Sequence, residues 1–284
     1  MLNKIYIPLL SFLPISVILG NLFTNLNIFL ISLIMLISCL KNNDWEWTKN
    51  KYFKILIIFY FYIILNSTYN YLIDDTNNLD GLIRSVSFIK FIFLAFSLNV
   101  LILENKDLDR IFTFWLIILL IVIIDIFFEL YFGFNSFGFK SLDSTRIVSF
   151  FYDENVVGAF IFAFGFVVTS FFILKCSNKK KQLFFNLLLL ILPLSIFITG
   201  ERSNFLKSSI LFFSIILFIK SSYLIISKKK IILFLICGIF LLLYSKDTIF
   251  IKQTEFFKRI LIVKDYKNFT DRFQNIKYFA HYDT

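Results

Sequence analysis

Long apolar runs separated by short polar segments dominate the pattern of the chain. A membrane-spanning helix needs roughly 17–25 apolar residues, and about nine runs approach that length. They lie near residues 5–22, 26–40, 52–69, 82–103, 111–132, 155–174, 183–199, 205–226 and 231–245. The pattern therefore predicts an all-α, polytopic transmembrane bundle of about nine helices.

The chain becomes more polar after the last run. Residues 1–245 form the predicted transmembrane domain, whereas residues 246–284 mix Lys, Asp and aromatic residues. The second segment still carries apolar side chains such as Phe256 and Leu261, which would lie on one helical face at the membrane surface. Under the predicted topology this segment is outside, and because the chain stops at Thr284 without a further span, we expect the C-terminal part of a longer protein to be missing.

Basic residues follow the predicted topology. If the N-terminus is cytoplasmic, the short inside segments hold Lys4, Lys41, Lys49, Lys51, Lys54, Lys106, Arg110, Lys175, Lys179, Lys180, Lys181, Lys228, Lys229 and Lys230. The four short outside segments, 20–25, 70–84, 133–154 and 199–204, hold only Arg84, Lys140, Arg146 and Arg202. This asymmetry agrees with the positive-inside rule and supports an odd number of spans with a cytoplasmic N-terminus.

Composition supports the membrane assignment and changes the meaning of the charge. The chain is 58% hydrophobic with a mean hydropathy of +0.80, which exceeds what a soluble core of this size can bury. The net charge of +10 would suggest nucleic acid in a soluble protein. Here topology and lipid headgroups explain it better, so we expect membrane lipids and no nucleic acid as partners.

The arginines are the first candidates for chemistry, because this chain uses lysine far more often. The predicted outer side holds Arg84, Arg146, Arg202, Arg259 and Arg272. A guanidinium group offers a planar fork of donors for phosphate or carboxylate, which a lysine cannot copy. The alternative is that these arginines reach lipid headgroups or pair locally with acids. We favour this alternative for Arg259 and Arg272, and we favour the functional interpretation, an anion-binding site, for Arg146 and Arg202.

A short outer loop concentrates polar groups beside Arg146. Glu154 and Asn155 follow it closely, at the start of the sixth predicted helix. Carboxylate and amide groups suit sugar hydroxyls, and the adjacent cation suits phosphate. The interpretation that Asn155 is only a helix N-cap remains open.

A second polar turn contains Glu201 and Arg202, between the seventh and eighth predicted helices. The first turn of a helix favours anions through its free N–H groups and its dipole. Lys207, one turn later, adds a second cation. The alternative is that an Arg202–Glu201 pair or a Ser203 cap merely closes the turn.

The fifth predicted helix carries Asp125 and Glu129, which are four residues apart and so share a face. Ionisable groups within a span are costly and usually face a cavity or a partner. Glu129 is a candidate general base, or alternatively a structural group. For Asp125 we favour a structural counter-ion role toward Arg84, Lys90, Arg146 or Lys207.

No pattern in the chain predicts a cofactor or a metal ion. Phosphate-loop and dinucleotide-binding signatures do not occur, and Cys39, Cys176 and Cys237 lack ligand spacing. His281 is the only histidine and lies near the chain end, where a surface role is more common.

Two segments carry a family resemblance. The first runs from Arg146 through Ser149-Phe150-Phe151-Tyr152-Asp153-Glu154-Asn155 to Gly158, and the second is the Thr199-Gly200-Glu201-Arg202-Ser203 turn. Together they resemble the O-antigen ligase and O-antigen polymerase family. That family shows an aromatic stretch ending in Asn-x-x-Gly and a later Thr-x-Ser-Arg-like turn. The order around Arg202 differs here, since Glu201 precedes it and Ser203 follows it.

The resemblance implies a metal-independent glycosyltransferase of lipopolysaccharide biosynthesis, in the bacterial inner membrane and with its active face on the periplasmic side. It also implies that residues 246–284 are the truncated start of a large periplasmic loop. Such an enzyme moves a glycan from an undecaprenyl-pyrophosphate carrier to lipid A core or to a growing chain, so both a ligase and a polymerase fit. Arg146, Arg202, Glu129 and Glu154 become the catalytic candidates, and Arg84, Asn155, Glu201 and Lys207 the substrate-binding candidates. The alternatives are a transporter or flippase for the same lipid-linked oligosaccharides and, more remotely, a structural or regulatory subunit.

Overall fold

The computed structural model describes residues 5–73, 79–101, 105–139, 146–151, 156–218, 232–233 and 236. Throughout these ranges the regular elements are helices, and none is a strand. In chain order they are α1 (Tyr6–Ile18), α2 (Asn21–Asn42), α3 (Lys51–Ile73), α4 (Leu79–Ser87), α5 (Ile89–Leu101), α6 (Asn105–Phe132), α7 (Val157–Phe160), α8 (Phe166–Lys175), α9 (Lys179–Thr199) and α10 (Arg202–Phe218). A π-helical turn, Ile161–Gly165, joins α7 to α8 in one continuous rod.

Five helical segments are long and apolar enough to cross a bilayer. They are Asn21–Asn42, Lys51–Ile73, Asp107–Phe132, Val157–Lys175 and Lys179–Thr199. α1 and the apolar part of α10 are shorter. The prediction of an all-helical membrane protein is thus confirmed in the described residues. The predicted span 231–245 and the segment 246–284 lie outside them, apart from isolated positions, so the count of nine stays a prediction.

The fourth predicted span, 82–103, is not one helix. It divides at Phe88 into α4 and α5, and short-range bonds mark the break: Phe88 N–H donates to Ser85 O at 3.2 Å, and Phe91 N–H to Phe88 O at 3.0 Å. These three-residue bonds tighten the backbone where the four-residue ladder stops. α5 has 13 residues, about 20 Å of helix, which is shorter than a bilayer core.

Directional contacts show how α1, α2 and α6 pack. Trp115 of α6 donates its indole N–H to Leu10 O of α1 at 2.8 Å, and nearer the start of both helices the Tyr6 hydroxyl donates to Asp107 at 3.3 Å. α1 and α6 therefore run parallel. α2 returns antiparallel to α1, because Asn27 donates its side-chain amide to Leu9 O at 3.1 Å and Thr24 its hydroxyl to Ser16 O at 3.0 Å.

α9 is the most enclosed of the long helices, and α8 packs closely along it. In its span 72% of the residues are buried, against 6% for α3, which lies at the periphery. Phe172 of α8 stacks on Phe185 of α9 at 4.8 Å. Gly165 allows the close approach, since a Cβ there would meet Leu192 Cδ2 at 2.7 Å. α6 completes this core by setting Trp115 edge-on against Phe164.

The two ends of this core differ in chemistry. At one end, named here the basic end, α6 and α9 begin and α8 ends; Lys175 pairs with Asp109, and Lys179, Lys180 and Lys181 are exposed. At the other, named the carboxylate end, α6 and α9 end and α7 and α10 begin. Buried carboxylates from α6 and from the α9–α10 turn lie there.

We predict that Ser136→Cys at the carboxylate end and Ser177→Cys at the basic end label from opposite faces of the membrane. Both side chains are exposed, and helices between them are long enough to separate two aqueous phases. An impermeant maleimide, applied to intact spheroplasts of a variant lacking Cys39, Cys176 and Cys237, measures this. Basic residues favour the cytoplasm, so only Ser136→Cys should react before lysis. Labelling of both residues in sealed cells would contradict the arrangement.

Candidate functional site

Two buried carboxylates on α6 hold the polypeptide that follows it. Asp125 accepts the Ser136 N–H at 2.8 Å and the Ser149 hydroxyl at 2.6 Å. Glu129, one turn later, accepts the Val148 N–H at 3.3 Å and the Ser149 N–H at 2.7 Å. With 3% and 5% of their surface exposed, these side chains have little access to water. They bind loop backbone to the end of the helix.

Ser149 adopts a backbone conformation that needs this support. Its φ is +50°, the left-handed region that non-glycine residues rarely occupy. Besides its bonds to α6, its carbonyl accepts the side-chain amide of Asn135 at 2.7 Å. The oxygen of the same amide accepts the N–H groups of Phe137 and Phe139 at 3.1 and 2.8 Å. Two segments of the loop are thereby fixed to each other and to α6.

Glu201 organises the neighbouring turn. Its carboxylate accepts the Gly158 N–H at 2.5 Å and the Ala159 N–H at 3.2 Å, in the first turn of α7. Asn204 donates its side-chain amide to the same carboxylate at 2.5 Å. The Glu201 carbonyl also accepts the Phe205 N–H at 2.9 Å, which starts the ladder of α10. One residue therefore caps α7 with its side chain and begins α10 with its backbone.

Gly158 is required by the close approach of Glu201. A Cβ built on this glycine would lie 2.9 Å from Cδ and Oε2 of Glu201 and 3.1 Å from Oγ1 of Thr199. The carboxylate cannot swing away without losing its bonds to α7. The glycine of the aromatic stretch thus has a steric role, because it lets the polar turn reach the helix terminus.

A backbone contact joins the two polar segments. The Ile147 N–H donates to Thr199 O at 3.4 Å. Arg146 is the residue before this contact, and Arg202 starts α10 three residues after Thr199, a distance of at most about 11 Å along the chain. The structure therefore brings the backbones of Arg146 and Arg202 to one end of the bundle. The Arg146 side chain is exposed, and the Arg202 side chain lies outside the described part.

The other predicted site residues lie in different surroundings. Lys207 is on an exposed face of α10, and Arg84 is exposed on α4, which packs mainly against α3. Glu154 and Asn155 fall outside the described residues. The inclusion of Arg84 in one site with Arg146 and Arg202 therefore stays a prediction.

The carboxylates have partners other than those expected from the sequence. Asp125 was predicted as a counter-ion to a basic side chain, but its oxygens accept a hydroxyl and a backbone N–H. Among the proposed cations, Lys90 instead donates to Asn25 at 2.7 Å. Amide dipoles stabilise a buried carboxylate without a cation when several point at it. Glu129 and Glu201 are engaged in the same way, which favours a positioning role for both.

Some contributors to this end were missed in the sequence. Asn135 was not considered, although it stands between Gly133 and Gly138, both with positive φ, in a turn where asparagine often bonds its own backbone. Asn204, in the first turn of α10, was overlooked as a partner of Glu201. The described residues contain no group of three or more His, Cys, Asp or Glu side chains that could hold a metal ion.

Comparison with known proteins adds no relative. No family model matches the chain, and neither the curated proteins nor the solved structures give a match.

We predict that Gly158→Ala destabilises the protein by about 1–3 kcal/mol, because the new methyl group overpacks against the Glu201 carboxylate. Thermal unfolding of the purified protein in detergent measures the change. Gly81→Ala is the matched control, since its Cβ would meet only Ser67 Oγ at 3.7 Å and alanine favours a helix. Equal unfolding temperatures for the two variants would contradict the steric role of Gly158.

We also predict that Glu201→Gln and Glu129→Gln each lower stability by about 1–3 kcal/mol. A neutral amide keeps one acceptor oxygen but turns an N–H₂ group toward backbone donors, so at least one buried N–H loses its partner. The same unfolding assay measures the loss. Glu46→Gln, at an exposed position, should unfold like the parent. Unchanged stability of Glu129→Gln would favour its alternative as a general base.

Proposed function

We propose that the chain is a glycosyltransferase of the O-antigen ligase and polymerase type. It would move a glycan from an undecaprenyl-pyrophosphate carrier to lipid A core or to a growing polysaccharide. The observation that supports this most is the Ile147–Thr199 contact, because it draws Arg146 and Arg202 to the same end of the bundle. Those arginines belong to the two segments that resemble the family.

The arginines suit the charge that develops in such a reaction. The acceptor hydroxyl attacks the anomeric carbon, the bond from that carbon to the pyrophosphate oxygen breaks, and negative charge grows on the leaving pyrophosphate. Guanidinium groups that bind this charge more strongly in the transition state than in the ground state accelerate the step. The first turn of α10, which Arg202 begins, adds backbone N–H groups of favourable polarity.

The carboxylates of the site divide into different proposed roles. Glu129 and Glu201 are buried and accept backbone N–H groups, which suits holding the loops in position. A general base needs a free lone pair within reach of the acceptor hydroxyl. Glu154, in the loop after Arg146, therefore becomes the favoured base, with Asn155 as a contact for sugar hydroxyls.

The proposal includes the finer topology expected from the sequence. About nine spans would cross the bacterial inner membrane, with a cytoplasmic N-terminus and a periplasmic loop from residue 246. The carboxylate end would then face the periplasm, the side on which the lipid-linked donor presents its glycan. Partners would be that donor, the glycan acceptor and membrane lipids, without a metal ion or other cofactor.

A transporter or flippase for the same lipid-linked oligosaccharides is the second candidate. The division of the fourth predicted span into α4 and α5 favours it, because discontinuous helices are common in transporters. Proteoliposomes distinguish the two functions. Acceptor-dependent release of undecaprenyl pyrophosphate supports the transferase, whereas movement of the intact donor between leaflets without cleavage supports the transporter.

We predict that Arg146→Lys and Arg202→Lys each reduce glycan transfer about 100-fold, the usual effect of removing one donor that stabilises developing charge. The measurement is the surface polysaccharide ladder on a gel, after complementation of a strain lacking the gene. Lys41→Arg, an exposed exchange elsewhere, should restore the full ladder. A normal ladder in the deletion strain would refute the enzyme, and full rescue by both lysine variants would refute bidentate phosphate binding.

A further inference from the structure

A shallow, open cleft lies on the surface of α6 at the basic end, at the opposite end of the core from the candidate site. It has a volume of about 350 Å³ and is lined by Asp109, Arg110, Thr113, Phe114 and Ile117. Residues three and four apart share a helix face, so the last four form one stripe. Polarity falls along this stripe, from charged groups near the helix start to apolar groups deeper in the span.

The apolar part of the stripe continues toward the middle of the helix. Phe114 and Ile117 are 36% and 49% exposed, and Ile121 and Ile124 beyond them are 47% and 68% exposed. In a membrane these side chains contact hydrocarbon. They provide a track along which an acyl chain can lie.

The charged part of the stripe offers phosphate donors. The Arg110 side chain is 72% exposed, and its ion pair with Asp107 spans 3.9 Å, longer than a good hydrogen bond. Its planar fork of N–H groups therefore remains available to a second anion. Thr113, one turn deeper in the same cleft, carries a hydroxyl that suits an ester oxygen.

The surrounding charge also favours an anion. Asp109 is the acidic group of the cleft, and Lys175 at the end of α8 pairs with it. Just beyond Lys175, the exposed lysines that start α9 add further positive charge. A negatively charged headgroup near the cleft would thus meet a net positive surface.

We propose that this cleft binds an anionic glycerophospholipid, with its phosphodiester at Arg110 and an acyl chain along Phe114 and Ile117. The combination is selective in two respects. A zwitterionic lipid brings a cation toward Arg110 and the lysines, and a soluble phosphate lacks an acyl chain for the apolar track. Because the cleft is at the basic end, this site is separate from the proposed donor site and does not depend on it.

The test uses native mass spectrometry of the full chain, exchanged into equal amounts of phosphatidylglycerol and phosphatidylcholine of the same acyl chains. The parent protein should retain phosphatidylglycerol preferentially. Arg110→Gln should weaken that retention roughly fivefold, the factor expected for one basic residue beside an anionic lipid. Lys54→Gln, an exposed lysine on the peripheral α3, is the matched control and should retain the lipid like the parent.

Two results would overturn the site. Equal retention of the two lipids by the parent would show no preference for an anionic headgroup, and this measurement needs no variant. Equal losses for Arg110→Gln and Lys54→Gln would show that general surface charge, and not the cleft, holds the lipid. Circular dichroism of both variants checks that a loss does not come from unfolding, and an unfolded Arg110→Gln leaves the decision to the parent's lipid preference.

Discussion

Backbone N–H groups that have no partner within a helix still require acceptors when they are buried. In this protein buried carboxylates supply several of these acceptors. Asp125 and Glu129 accept donors from the loop after α6, while Glu201 accepts donors from the first turn of α7. An unsatisfied amide in such surroundings costs several kcal/mol. The carboxylates in turn avoid the cost of an isolated buried charge, because amide dipoles point at them. Loop and helix termini at this end therefore depend on each other.

This mutual dependence explains the geometry of the candidate site. The left-handed backbone of Ser149 is held from α6 and by Asn135, and the Ile147 N–H bonds to Thr199, so the segment 146–151 is fixed against the bundle. The turn that carries Arg202 is held by Glu201, which reaches across to Gly158. Rigid support of this kind is what binding groups need if their position, and not only their charge, is to favour a transition state.

The two ends of the bundle use ionic groups in different ways. At the carboxylate end the acidic side chains are buried and accept backbone N–H groups. At the basic end the described charges are exposed and pair loosely, as in Arg110–Asp107, or closely at the surface, as in Lys175–Asp109. Buried groups of the first kind specify structure, whereas exposed groups of the second kind respond to the lipid headgroups around them.

Local hydrophobicity alone was enough to predict the long helices: the run 26–40 lies within Asn21–Asn42, and the helical, membrane-type architecture followed from composition. The break inside 82–103 was not predicted, because no Gly or Pro interrupts the helical pattern there. Nor could the sequence assign the partner of Glu201, since the amide of Gly158 is 43 residues away along the chain. Periodicity reports the environment that each residue prefers, which is a local property. Which buried donor meets which acceptor depends on how the helices pack, and only the tertiary structure decides that.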